Sequence, residues 1–91
     1  MIVEYTENFN KSTKKLKDKI AIKRLLDLVE KLQNATNLKE ISNVVPIANH
    51  QFTYRIRTGN FRLVVEWIDD AISILLIEYS KRDEKTYKGY K

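Results

Sequence analysis

The chain has 91 residues, with 17 Lys or Arg against 12 Asp or Glu and a formal net charge of +5. This length makes a single domain, residues 1–91, that buries only roughly 60 to 65% of its unfolded surface, and no apolar run approaches the ~18 residues of a membrane span. With no cysteine, disulfide frameworks and thiolate metal sites are excluded, and the positive balance suits a polyanion such as nucleic acid or an acidic protein partner.

MIVEY reads as a short strand, reached without the basic start and apolar stretch of a secretory signal; this and the lack of cysteine point to a bacterial or archaeal cytoplasm. Thr6 suits a helix N-cap, with Glu7 in the favoured first turn. Phe9, Thr13, Leu16 and Ile20 recur at helical spacing, with Lys11, Lys14, Lys15 and Lys17 on the solvated side. Asp18 is a candidate cap for a second helix in which Ile22, Leu25, Leu26, Val29 and Leu32 form an apolar stripe; one long bent helix is the alternative. Asn34 and Asn37 close it, and NLKEISNVVPIANHQ reads as a connecting segment, with Pro46 forbidding helix across NVV.

From Phe52 the period changes to two. FTYRIR, FRLVVEW and AISILLIEY are three strands, joined by Gly59-Asn60 and Asp69-Asp70, residue types that accept tight-turn dihedrals. A two-residue loop at Gly59-Asn60 pairs Thr58 with Phe61, Arg57 with Arg62, Ile56 with Leu63 and Arg55 with Val64, so that every pair matches its face. A three-residue loop would oppose Ile56 to Arg62 and put arginine in the core, which decides the register. The same logic through Asp69-Asp70 pairs Trp67 with Ile72, Val65 with Ile74 and Leu63 with Leu76 on the core face. On the other face Arg62, Val64 and Glu66 then oppose Ile77, Leu75 and Ser73, with Tyr79 beyond. Arg55, Arg57 and Arg62 thus share one face above an apolar floor of Val64, Leu75 and Ile77.

Like charges in a directly opposed pair repel by roughly 1 kcal/mol in water. Either a carboxylate such as Glu66 or Glu78 offsets this, leaving an ordinary basic strand face, or the arginines await a phosphate, whose oxygens match guanidinium forks. Lys81, Arg82, Lys85 and Lys88 follow the last strand and emerge beside the hairpin tip. Tyr87 and Tyr90 lie on that tail, either packing on the sheet, fraying, or swinging over the basic end.

YRIRTGNFRLVVEW followed by ILLIEYSKRDEKTY resembles the signature of the RelE/ParE superfamily of type II toxins: a hairpin of tyrosine, basic, apolar, basic, then Gly-x-aromatic-Arg, and a final strand ending in a basic pair with a tyrosine beyond. The resemblance implies an α+β fold with two N-terminal helices on one face of a mainly antiparallel sheet of about four strands, and a short C-terminal tail or helix. It also implies a cognate antitoxin partner and possible toxin-antitoxin hetero-oligomers. RelE-like members enter the ribosomal A site and cut mRNA, whereas ParE-like members poison DNA gyrase.

Carried over residue by residue, the resemblance gives Arg57, Arg62, Arg82 and Tyr87 as catalytic residues and Arg55, Phe61, Tyr79, Lys81, Lys85 and Tyr90 as RNA contacts, with no metal and no cofactor. Phe61 stands where tyrosine is frequent and Ser80 where many relatives have histidine. Four residues rather than three separate Arg82 from Tyr87, so Lys81 is a second candidate for the arginine's role and Tyr90 for the tyrosine's. In RelE-like cleavage the ribose 2′-hydroxyl attacks the adjacent phosphorus, giving a 2′,3′-cyclic phosphate and a 5′-hydroxyl. Arginines stabilise the phosphate charge, Tyr87 beside cations is the candidate general base, and Phe61 or Tyr79 offers a ring to a displaced base.

His50 has no second histidine or cysteine with which to hold a metal, and the serines and two glycines form neither a nucleophile elbow nor a phosphate loop. Three readings stand: a ribosome-dependent mRNA endonuclease, a gyrase inhibitor without chemistry, and an inactive antitoxin-binding protein. For a toxin, the apolar floor around Arg55, Val64, Leu75 and Ile77 is the surface expected to take an acidic antitoxin segment.

Overall fold

The structure, a computed structural model, describes residues 1–68 and 73–81. Strand β1 (Ile2–Tyr5) leads into helices α1 (Glu7–Lys14) and α2 (Lys19–Asn34). A single turn of 3-10 helix (Leu38–Glu40) then precedes strands β2 (Val44–Pro46), β3 (Thr53–Thr58), β4 (Phe61–Ile68) and β5 (Ser73–Lys81).

Both helix starts follow from their caps. Thr6 is extended, and its hydroxyl accepts from Phe9 N at 3.0 Å while donating to Leu76 O at 2.9 Å, so one side chain starts α1 and fastens it to β5. Thr6→Ala is expected to lower stability by about 1–2 kcal/mol in urea denaturation, with Thr6→Ser close to wild type; equal losses in both would mean that the methyl group, not the hydroxyl, matters. Asp18 accepts from Ile20 N and Ala21 N, which breaks the chain into two helices rather than one bent one. The buried stripe of α2 is Ala21, Leu25, Leu28 and Leu32; Leu26 and Ile20, expected inside, are exposed. The small Ala21 faces the core because the ring of Tyr79 fills the space above it, its hydroxyl donating to Ala21 O at 2.8 Å.

The sheet has five strands in the order β1-β5-β4-β3-β2, one more than the expected four or so. β1 lies parallel to β5 and the other neighbours are antiparallel. The additional strand is β2, within the stretch expected to be a plain connection: Val44, Val45 and Pro46 pair with Ile56, Arg55 and Tyr54. Proline is tolerated there because β2 is an edge strand. Helix side chains and one sheet face enclose the main core, centred on Leu32, Ile56, Leu63, Val65, Ile74 and Leu76.

The β3–β4 register is the expected one, with Thr58 opposite Phe61, Arg57 opposite Arg62 and Arg55 opposite Val64. Gly59 has φ +61° and is the turn residue with positive φ, as in a type II′ hairpin. The β4–β5 register differs from expectation. β4 ends at Ile68 and β5 begins at Ser73, pairing Trp67 with Ile74 and Val65 with Leu76, so the connection is two residues longer than Asp69-Asp70, which lie outside the described residues. A shift of two preserves faces, since strand side chains alternate with period two. A β-bulge then interrupts the ladder between Val64 and Val65, and beyond it Leu63 faces Tyr79 and Arg62 faces Ser80. One extra residue reverses the faces from there on. Tyr79 therefore belongs to the helix-side core and not, as expected, to the arginine face.

Helix α1 holds the bulged strand. Asn8 Nδ2 donates to Ile77 O at 2.8 Å, and Tyr79 N donates to Ser12 Oγ at 3.1 Å. Beyond Leu76, where the pairing with β1 ends, backbone groups on the outer edge of β5 are thus met by helix side chains, as buried polar groups require.

Candidate nucleic-acid interface

The arginine face is built by the hairpin alone. A two-residue turn fixes the register and strand alternation sends Arg55, Arg57 and Arg62 to the side away from the helices, while Ile56 and Leu63 enter the core. Arg57 is exposed, Arg55 is half-buried, and Arg62 is only 3% exposed. Nε of Arg55 and Nη1 of Arg62 are shielded from solvent. Arginine remains charged in such surroundings, and shielding strengthens its attraction for an anion.

The floor is more closed than expected. Val64 and Ile77 are buried, and Ile47, from the segment following β2, packs on both to form a second small core. Only Leu75 of the three expected floor residues is half-exposed. Among the described residues, Val64 and Ile77 thus form no exposed apolar floor, and Ile47 packs over them. Ile47 is held in place by its N–H, which donates to Thr53 O at 3.0 Å.

Phe61 and Tyr79, expected to stack on a base, stack on each other instead, with ring centroids 4.9 Å apart and planes 19° apart. Both are buried, at 6% and 2% exposure, on the helix side. Burial pushes the Tyr79 phenol up to about 12 from its ordinary 10, with Arg24 opposing and Asp18 adding to the shift. The stacked pair lies away from the arginine face and forms part of the floor of a cleft between α1 and the end of β5. Lys81, opposite Phe61, is exposed at the end of β5. Arg82, Lys85, Tyr87 and Tyr90 lie outside the described residues. His50 is half-buried in the segment between β2 and β3.

Reading the sequence by element missed three features of this end of the molecule. Arg24 of α2 lies over the hairpin turn, where its guanidinium occupies the space that a Cβ on Gly59 would need. Asn8 and Ser12 act on β5 from α1. Lys11, Lys15 and Lys17, assigned to a solvated helix face, border a cleft whose other wall is Lys81. No periodicity signals these, since each depends on how α1 and α2 lie across strands some 35 to 70 residues later in the chain.

No family model matches the sequence and no curated protein matches it significantly. Solved structures do resemble it. The RelB-RelE antitoxin-toxin complex of Methanococcus jannaschii contains a chain with TM-score 0.78 and 23% identity, the match covering 97% of this chain and 99% of that one. A chain of the archaeal RelE-RelB complex of Pyrococcus horikoshii superposes with TM-score 0.71 at 19% identity, over 91% and 96% of the two chains. One of the intact E. coli RelBE toxin-antitoxin complex does so with TM-score 0.62 at 22% identity, over 91% and 98%. Two helices on one face of a five-stranded mixed sheet are thus the RelE-like toxin fold.

Proposed function

We propose that this protein is the toxin of a type II toxin-antitoxin pair and that it inhibits translation as a ribosome-dependent, metal-independent mRNA endonuclease. The observation that carries this reading is the cluster of Arg55, Arg57 and Arg62 on the sheet face opposite the helices, two of them in a directly opposed pair. Such a pair is unfavourable in isolation and favourable around a phosphate. The fold supports an antitoxin partner, since the similar chains were solved in complexes with RelB.

In this reading the RNA supplies its own nucleophile. The 2′-hydroxyl attacks the adjacent phosphorus, the P–O5′ bond breaks, and the products are a 2′,3′-cyclic phosphate and a 5′-hydroxyl. Arg57 and Arg62 stabilise the charge that grows on the phosphoryl oxygens, and Arg55 orients the flanking backbone. Tyr87 removes the 2′ proton, with Tyr90 as its alternative; Arg82 clamps the phosphate or protonates the leaving oxygen, and Lys81 and Lys85 add backbone contacts. Phe61 and Tyr79 support the site from beneath rather than stacking on a base. The work is done in the cytoplasm, where the ribosome is.

The test is primer extension on translated and untranslated copies of one transcript after induced expression. The expected result is new 5′ ends on the translated copy only. Growth arrest without cuts would shift the assignment to DNA gyrase inhibition, and no arrest would identify an inactive antitoxin-binding protein.

A further inference from the structure

A second cationic feature lies on the opposite side of the sheet from the arginines. A cleft of about 720 Å³ opens between α1, the α1–α2 turn and the end of β5. Lys11 and Lys15 come from α1 and its C-cap, Lys17 from the turn and Lys81 from the last residue of β5, so three separate segments bring four cations to one opening. Two carboxylates, Asp18 and Glu78, share the lining. Neither offsets the lysines directly. Asp18 is occupied as the cap of α2, accepting from Ile20 N and Ala21 N at 3.0 and 3.1 Å. Glu78 lies 3.5 Å from the amide of Asn8. Among the described residues, Lys15, Lys17 and Lys81 have no carboxylate within ion-pairing distance, and Lys11 has an exposed one, Glu7 at 3.7 Å.

The cleft adjoins the arginine face through one strand. Ser80, which pairs with Arg62, and Lys81, which pairs with Phe61, both line the cleft at the end of β5. An anionic chain crossing the end of β5 therefore meets arginines on one side and lysines on the other. Arginine forks suit a single reacting phosphate, and lysine is a compact point charge that tracks a backbone without demanding geometry.

We propose that the Lys11, Lys15, Lys17 and Lys81 cleft binds the phosphodiester backbone of the RNA chain several nucleotides away from the phosphate held by Arg57 and Arg62, acting as an anchor without chemistry. The proposal rests on the reading of the arginine face as the reacting-phosphate site. It specifies single-stranded polynucleotide as the ligand, since backbone continuity links the two faces.

The experiment uses the full chain and 5′-labelled all-deoxy oligonucleotides, which lack the attacking hydroxyl and stay intact. Fluorescence anisotropy across a salt series compares a dinucleotide with a strand of about 8 nucleotides, within the ~4–16 of single-strand sites. Lys15→Gln/Lys17→Gln is compared with Lys14→Gln/Lys39→Gln, which removes two exposed lysines that do not line the cleft. The longer strand should lose about 1.4 from its log–log salt slope in the first variant, roughly 0.7 per lost lysine contact, and much less in the second. Dinucleotide binding should be unchanged in both and lost in Arg57→Ala. Equal losses in the two lysine variants, or none in the first with melting temperature unchanged, would overturn the cleft. A dinucleotide that binds equally well to Arg57→Ala would instead overturn the arginine reading, while the comparison of the lysine pairs on the longer strand still decides the cleft.

Discussion

Replacing Arg57 by alanine should lower cleavage of translated mRNA by about 10²–10³-fold while leaving the fold in place. The size is that of removing one preorganised donor from a developing oxyanion, the term that commonly dominates such reactions. The sparing of the fold follows from position. Arg57 is exposed, is in no ion pair with a described carboxylate, and stands directly opposite Arg62. Its loss removes a like-charge repulsion of roughly 1 kcal/mol in water and little packing. Arg62→Ala is the less clean experiment, because Arg62 is 3% exposed and adjoins buried Val64 and Leu63 in the strand, so activity and stability would change together. The measurement is primer extension at matched expression, with a thermal melt of the purified variant. Full cleavage in a normally folded Arg57→Ala protein would refute the role given to the arginine face.

Tyr79→Ala should cost about 3–5 kcal/mol of stability, whereas Tyr79→Phe should cost only about 1–2. The larger figure is that of deleting a buried aromatic ring, here one stacked on Phe61 and 2% exposed. The smaller one is that of a lost hydroxyl bond that leaves Ala21 O without its donor. A pH effect accompanies it. The phenol titrates near 10 when unfolded and at about 12 in the fold, so the folded state holds its proton more tightly. This contribution to stability is fully present below pH 10 and is lost as pH rises from 10 through 12, and Tyr79→Phe should flatten that part of the profile. Urea titrations of the three proteins across this range check both statements. If Tyr79→Phe were as stable as wild type with an unchanged alkaline slope and yet bound RNA poorly, Tyr79 would be an RNA contact and not a core residue.

The two results bear on different kinds of information in the chain. The arginine hairpin is local: Gly59-Asn60 admits a tight turn, strand alternation has period two, and only one register keeps all arginines off the core. Thr6 and Asp18 are legible for the same reason, because an N-cap acts on backbone groups two or three residues away. Tyr79 is a different case. The apolar run Leu75-Leu76-Ile77 hides a change of phase, since core positions Ile74 and Leu76 are followed by Tyr79, three residues on. An uninterrupted apolar stretch fits either phase, so the alternation does not reveal the bulge.

The α+β class came through the family resemblance, while the sequence by itself determined the two helix starts and the β3–β4 register that gathers Arg55, Arg57 and Arg62. Those features rest on interactions between near neighbours, whose geometry is set by bond angles and residue type. Only the tertiary structure decided the parallel placement of β1 beside β5, the pairing of β2, the cover supplied by Ile47, the burial of Tyr79 and the convergence of four lysines on one cleft. Each of these is a contact between segments far apart in the chain. Their relative position is selected by side-chain packing and by the need of Ile77 O and Tyr79 N for the partners that Asn8 and Ser12 provide, and no one segment carries that information alone.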